Sequence, residues 1–305
     1  MEGPAVQTGK NVTGIANGKA KRENRTELST WATFAKNKLG LSSLIVLLLF
    51  IAMAITAPLI IPYDPLAQDT ASRLEGPSAA HLLGTDSYGR DVLSRIIVGS
   101  QTSLIVGFVA VAISGVVGFS IGMFAAYKGG WIDDLLMRVL ESIMTIPLIL
   151  LGMMILVAMG SNITTMILVI CIGLLPGCAR IARGSTLEMK EKEFIKATIS
   201  MGGSSFRVLF VHILPNILGP LLVVSTLNMS SVIRIEASLS FLGMGVQPPT
   251  PTWGNMIQEG FQFITLQPGL SLYPGLALMI LSIAFNLIGD ALRDAIDPHI
   301  KHQRK

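Results

Sequence analysis

Six apolar stretches, each close to the length that crosses a membrane, constrain this chain of 305 residues more than any other feature. A helix needs about 20 apolar residues to cross roughly 30 Å of hydrocarbon. Only 14% of the residues are charged, whereas an ordinary soluble domain carries roughly 25%. The sequence therefore predicts an all-α, polytopic membrane protein with six transmembrane helices, at about residues 39–61, 103–127, 143–159, 163–181, 213–233 and 273–288.

The intervals between these stretches divide the chain. Residues 1–38 are expected to be a polar N-terminal tail without a cleavable signal peptide, and residues 39–61 the first anchor. Residues 62–102 are expected to be an outer loop with an interfacial helix. Residues 103–290 would form a five-helix core with a charged loop at 183–212 and an outer loop at 237–272, followed by a C-terminal tail at 291–305.

Basic residues predict the orientation of the spans. Alternating six spans places 19 of the 23 Lys and Arg residues on the side that holds both tails and the charged loop. Cytoplasmic segments are rich in Lys and Arg, so both termini should be cytoplasmic. The net charge of +4 then reflects topology and contact with membrane lipid, and does not indicate nucleic-acid binding.

The charged loop has the pattern of a helix, a glycine corner and a second helix. Phe194, Ile195, Thr198 and Ile199 fall on one helical face. Gly202 and Gly203 can then end that helix with a positive φ. A serine at 204 or 205 can cap the next helix, which enters the fifth span. The apolar face predicts docking in a protein groove, with an interfacial helix on lipid headgroups as the alternative.

Two spans carry patterns of their own. Small residues recur every four positions in the second span and should allow close helix packing: Ala110, Ser114, Gly118, Gly122 and Ala126. In the fifth span Ser225, Asn228 and Ser231 are expected on one face, which either packs against a helix or lines a pore. Leu222 and Met229 are expected to point toward neighbours or lipid.

Several function classes are disfavoured. No ionisable residue lies near a span centre, which argues against an ion-coupled carrier. The chain has no phosphate-binding loop of the GxxxxGK[ST] type, and its four His residues lack the partners of a metal site. Cys171 and Cys178, seven residues apart in one span, are too far apart for a disulfide and should be buried thiols. We expect no catalytic residue, bound cofactor or metal.

The outer segments suggest rigid structure. Asp86, Arg90, Asp91 and Arg95 can pair at spacings of four on a short interfacial helix. Prolines prevent a helix in the stretch QPPTPTWG, and Trp253 suits a membrane interface. Asp86, Arg90 and Trp253 are hypothesised to serve an outer gate or a receptor contact, with a purely structural role as the alternative.

Four segments resemble one family. The loop resembles the cytoplasmic coupling loop of ATP-binding-cassette importer permeases at Ala197, Gly202, Leu214 and Pro215. It departs from the pattern at Lys196 (usually Glu), Thr198 (usually Ala) and His212 (usually Ile), and Glu193 is a nearby acid. HLLGTDSYGRDVLSRIIVGSQTSL, ASLSFLGMGVQPPTPTWGNMI and AFNLIGDALRDAIDP are similar to the second permease subunit of the family's peptide/nickel branch. The resemblance covers roughly residues 36–300.

The resemblance implies a type I importer permease fold and a non-catalytic subunit in a bacterial or archaeal inner membrane. Its partners would be a second permease, two ATPases that hold ATP–Mg, and an external substrate-binding protein. Glu193, Phe194, Lys196, Ala197, Thr198, Gly202, Leu214 and Pro215 would form the ATPase-coupling loop. Di- or oligopeptides are the expected cargo. The alternatives are nickel or a metal chelate carried by the same machine, and an ion-coupled secondary transporter.

Overall fold

The computed structural model describes residues 30–296, so most of the 1–38 tail and residues 297–305 of the C-terminal tail lie outside the described part. The fold of the described part is all-α, and its only strand-like pairing is an isolated bridge between Thr85 and Asp91. The helices are α1 (Thr30–Lys36), α2 (Lys38–Ile60), α3 (Val92–Lys128), α4 (Gly130–Met144), α5 (Leu148–Met159), α6 (Ile163–Lys190), α7 (Glu193–Ser200), α8 (Leu214–Phe241), α9 (Trp253–Phe261) and α10 (Gly269–Ile296).

Within residues 30–296, five helices are long and apolar enough to cross a membrane, and there are six crossings if one bent pair is counted as a span. That pair is α4 and α5, which meet at an angle of 84°. The sequence predicts a span at 143–159, and the break lies near the start of that stretch. The residue before a proline avoids the helical conformation, and Pro147 forces the chain out of the helix between Met144 and Leu148.

The centre of the fold is the packing of α3 against α6. The small residues predicted to form a ridge are all buried on α3. A Cβ atom built on Gly118 would lie 2.7 Å from Cys178 Cβ, and one on Gly122 would lie 2.0 Å from the Ala179 carbonyl oxygen. The predicted ridge is therefore confirmed, since the two backbones approach too closely for any side chain at these positions. Cys171 and Cys178 are buried, free thiols, as expected.

The outer loop differs from the expected interfacial helix. Residues 84–91 form turns, and the helix begins only at Val92, after Asp91 caps it by accepting from the Ser94 amide at 2.8 Å. From there α3 continues for 37 residues to Lys128. The predicted interfacial helix and the second span are thus one continuous helix, which ties the outer loop rigidly to the core.

Candidate functional site

The coupling segment, residues 193–213, has the predicted form of helix, corner and helix. α7 ends at Ser200, and Gly202 adopts a φ of 79°, the left-handed conformation predicted for the corner. The Gly203 amide donates to the Thr198 carbonyl at 3.0 Å and closes the helix end. Ser204 then caps the following turn by accepting from the Arg207 amide.

The second half of the segment joins the membrane core without a break. A short helical turn, Ser205–Arg207, and a π-helical stretch, Val208–Ile213, lead directly into α8. The sequence places the end of a free helix at Pro215, but the structure shows Pro215 inside the first turn of α8. The wider π turn precedes the proline, a form of helix irregularity that is frequent at functional sites.

One residue anchors α7 on the spans. Ile195 is fully buried against a cluster of apolar residues from α3, α6 and the π turn: Met123, Ala182, Val208, Leu209 and Ile213. Three other apolar residues of the segment are exposed, with exposed fractions of 47% for Phe194, 80% for Met201 and 70% for Phe206. The face predicted to dock as a whole is therefore divided between an internal anchor and an exposed apolar patch.

The polar residues of α7 have local partners. Lys196 donates to Glu191 Oε2 at 2.7 Å, and this hydrogen bond lowers the pKa of the Glu191 carboxyl. Thr198 donates to the Phe194 carbonyl. Glu193 and Ala197 are exposed on the same helix. The sequence did not indicate Glu191 as the partner of Lys196, because the two residues are five positions apart and α7 begins between them.

Lys190, the last residue of α6, joins the coupling segment to α3. Its Nζ donates to the carbonyl oxygens of Tyr127 at 2.9 Å and Ala126 at 3.4 Å. These carbonyls belong to the last turn of α3, where a cation interacts favourably with the helix dipole. Nearby, Arg183 of α6 forms two 2.7 Å hydrogen bonds to Asp133 of α4. α3, α4 and α6 are thus fixed to one another beside α7.

The three polar residues predicted to share a face of the fifth span point to three different neighbours. Ser225 lines an apolar cleft of about 620 Å³ that α3 and α8 border, whereas Asn228 faces Cys178 of α6 at 3.5 Å. Ser231 accepts from Arg234 Nη2 at 3.1 Å. Each step of three residues turns a helix by about 60°, so the set spans about 120°.

The two α8 residues that were expected to point toward neighbours or lipid lie close to Ser225. Leu222 and Met229 line the same cleft as Ser225. Leu222 is exposed and Met229 is buried beside Gly107 of α3, so the expected direction toward neighbours or lipid does not separate them from Ser225. Helical spacing explains the grouping, because residues 222, 225 and 229 are separated by three and four positions.

The outer residues form a buried ion-pair cluster. Arg90 Nε lies 2.6 Å from Asp86 Oδ2, and Arg90 Nη2 lies 2.8 Å from Glu259 Oε2. Arg95, 2% exposed, reaches Glu259 Oε2 at 3.1 Å and Asp86 Oδ2 at 3.4 Å. The cluster joins the outer loop to α3 and α9. Glu259 was missed, although it is the only acidic residue between positions 237 and 289.

Trp253 does not lie on the protein surface. It is fully buried at the start of α9, donates through Nε1 to the Ile96 carbonyl at 3.0 Å, and packs edge-on against Phe50. The sequence expectation of a ring that contacts lipid at an interface therefore differs from the structure, where the ring packs inside the protein. Asp86 and Arg90 are buried too, so these three residues hold the outer end of the molecule together.

Comparison with known proteins places these features in a family. A family model described as "Binding-protein-dependent transport system inner membrane component" matches residues 118–302. The chain belongs to this family. A second model, described as the N-terminal TM domain of oligopeptide transport permease C, matches residues 29–77, which contain α1 and α2. The matched ranges include the first anchor, the coupling segment and the spans after it.

Relatives support the family assignment over almost the whole chain. The dipeptide transport system permease protein DppC of Alkalihalophilus pseudofirmus is 40% identical over 90% of this chain and 92% of its own length. The glutathione transport system permease protein GsiD of Pectobacterium atrosepticum is 38% identical over 89% of this chain and 90% of its own length. Among solved structures, a chain of the MetNI methionine ABC transporter in an inward-facing conformation has the same fold, with a TM-score of 0.56 and 19% identity over 67% of this chain and 97% of that chain.

Proposed function

We propose that this chain is one of two permease subunits of an ATP-driven importer of small peptides. The observation that carries the proposal is the coupling segment, in which Ile195 anchors a short helix on the spans while Phe194, Met201 and Phe206 remain exposed. Such a patch suits a groove on a partner protein. The family membership and the peptide cargo of the named relatives support the rest.

In this proposal partner subunits supply ATP hydrolysis, the other half of the transport route and delivery of the peptide. Two ATPase subunits bind ATP–Mg and receive the coupling segment, a second permease completes the route, and an external binding protein delivers the peptide. This chain binds no cofactor and performs no catalysis. The basic residues around the coupling segment support a cytoplasmic location for that end and for both termini, in a protein of a bacterial inner membrane.

Reconstitution tests the proposal. The chain would be purified with its second permease, ATPases and binding protein, placed in liposomes, and assayed for uptake of a radiolabelled dipeptide, of glutathione and of Ni²⁺. We expect peptide uptake that requires both ATP and the binding protein. Uptake of Ni²⁺ alone would favour the metal alternative, and uptake driven by an ion gradient without ATPases would overturn the proposal in favour of a secondary carrier.

A further inference from the structure

Arg234 is an exposed charge within a membrane-spanning helix. At the end of the core remote from the coupling segment, the described spans carry three charged residues: Arg95, Arg234 and Glu236. Arg95 and Glu236 are 2% and 1% exposed, and each is enclosed by polar partners. Arg234 alone of these three extends outward, seven residues or about 10 Å before α8 ends at Phe241.

The contacts of Arg234 within the chain are neutral. Its Nη1 donates to Ser230 Oγ and its Nη2 to Ser231 Oγ. Among the described residues no carboxylate lies within ion-pair distance of it. Glu236 is only two positions away but points to the opposite side of the helix, where its oxygens accept from Ser103 at 3.3 Å and Ser240 at 2.8 Å. The guanidinium is thus oriented by two hydroxyls and left without a counter-charge.

Arg234 has polar neighbours three positions before it and four positions after it on its face of α8. Ser231 and Ser238 flank it along α8, and Ser238 donates to the Arg234 carbonyl at 2.8 Å. By contrast, outward residues of α3 and α10 such as Ile105, Val116 and Ile283 are apolar. A guanidinium facing hydrocarbon is costly, and ionisable residues in spans generally face either the interior of a helix bundle or a water-filled cavity. The Ser231–Arg234–Ser238 strip is therefore suited to the wall of a water-filled path.

We propose that Arg234 binds the terminal carboxylate of the peptide as it passes through the outer half of the route. The inference rests on the proposed function, since it assigns a cargo contact to the path that this chain shares with the second permease. A guanidinium presents a planar set of donors that matches a carboxylate in a bidentate arrangement. Arg234 donates one hydrogen bond each to Ser230 and Ser231, and its remaining N–H groups can bind an incoming anion.

The absence of a counter-charge among the described residues suits transient binding. In the buried cluster of Asp86, Arg90, Arg95 and Glu259, every guanidinium is already held by carboxylates, so an anion would have to break ion pairs to bind there. A peptide that binds Arg234 does not have to break an ion pair. When the peptide leaves, the two serine hydroxyls still orient the guanidinium. A single exposed cation therefore attracts peptides without trapping them.

The test compares two cargos in the complete transporter. ATP-driven uptake of a dipeptide with a free carboxylate and of its C-terminal amide would be measured with Arg234→Gln, Arg234→Lys and, as control, Arg73→Gln, an exposed arginine of the outer loop. Each uptake rate is divided by the wild-type rate for the same cargo. Any difference in how well the binding protein delivers the free dipeptide and the amide then cancels. We expect Arg234→Gln to slow the free dipeptide about tenfold, the scale of a lost charge-assisted hydrogen bond. The amide should be nearly unaffected, and Arg234→Lys and Arg73→Gln should retain most uptake.

Other outcomes overturn the inference. An equal loss of uptake for both cargos would mean that Arg234 has a structural role. Dissociation of the variant complex would mean that Arg234 pairs with a carboxylate of the second permease. Slower uptake by the Gln variant only in liposomes with anionic lipid would mean that Arg234 binds lipid headgroups. A wild-type complex without ATP-driven peptide uptake overturns the proposed function and this inference together. If the Gln variant is not produced in folded form, Arg234→Cys with Cys171 and Cys178 replaced provides a second readout. Peptide-loaded binding protein must slow labelling of this cysteine by a water-soluble thiol reagent, and equal labelling with and without it refutes the site.

Discussion

Gly202 forms the corner of the coupling segment with a φ of 79°, and a Cβ atom built there would meet nothing within 4 Å. The penalty for any side chain is therefore conformational and not steric. We expect Gly202→Ala to cost about 1 kcal/mol at the corner and to lower ATP-driven uptake while the protein still inserts in the membrane. Gly184→Ala is the matched control, because Gly184 also has open space but lies in α6 without a positive φ. Equal uptake by the two variants would contradict a role for the corner.

Lys196 occupies the position where the resembled family usually has Glu, and its ammonium contacts Glu191 at 2.7 Å. Lys196→Glu would place two carboxylates together, so uptake should fall. The swap Lys196→Glu with Glu191→Lys restores the pair with reversed charges. Recovery in the swap would show that the internal pair matters, whereas continued loss would show that a partner surface selects a cation at position 196. Improved uptake by Lys196→Glu alone would contradict both explanations. Uptake and co-purification of the ATPases are the measurements.

Individual contacts were the part of the site that the sequence predicted least. The conformation of Gly202 followed from local chemistry, since a helix end beside two glycines has few alternatives. The burial of Trp253, and the attachment of Arg90 and Arg95 to Glu259, depend on residues about 160 positions apart in the chain. Spacing patterns report only neighbours along one helix, so such contacts stay hidden until the helices are packed.

At the scale of elements, the spans were predictable because length and apolar composition report them directly. Two boundaries were not. The 143–159 span is bent where Pro147 interrupts it, and α3 begins 11 residues before the apolar stretch at 103 because the Asp91 cap and buried polar residues extend it outward. The face of α8 was assigned too broadly, since Ser225, Asn228 and Ser231 were grouped across about 120° of the helix.

The ridge of small residues on α3 gives a prediction at this scale. A Cβ at Gly122 would lie 2.0 Å from the Ala179 carbonyl oxygen, so Gly122→Ala should force α3 and α6 apart and cost about 1–3 kcal/mol. Gly177→Ala is the control, since the same methyl group on α6 meets nothing within 4 Å. Thermal unfolding of the purified proteins in detergent measures the difference. Equal transition temperatures would mean that the α3–α6 contact is looser than the structure shows.

At the scale of the whole molecule, α3 connects the two functional ends. Its 37 residues extend about 55 Å, from the cluster of Asp86, Arg90, Arg95 and Glu259 to the carbonyls held by Lys190. Lys190 donates to carbonyl oxygens of α3, and Ile195 belongs to the same apolar cluster as Met123 of α3. A displacement of α7 is therefore delivered to α3 as well as to α8, with which the coupling segment is continuous.

This arrangement predicts that Lys190 sets the efficiency of coupling. Lys190→Met keeps most of the side-chain volume but leaves the Ala126 and Tyr127 carbonyls without their cation. We expect ATP hydrolysis by the complex to continue while the peptide imported per ATP falls severalfold, because α3 then loses one of its two connections to the region of α7. Lys192→Met is the control, since Lys192 is two positions away and makes only a 4.0 Å contact with the exposed Glu188. A fall in hydrolysis and uptake by the same factor would indicate simple loss of ATPase docking, and an unchanged ratio would show that α8 alone transmits the motion.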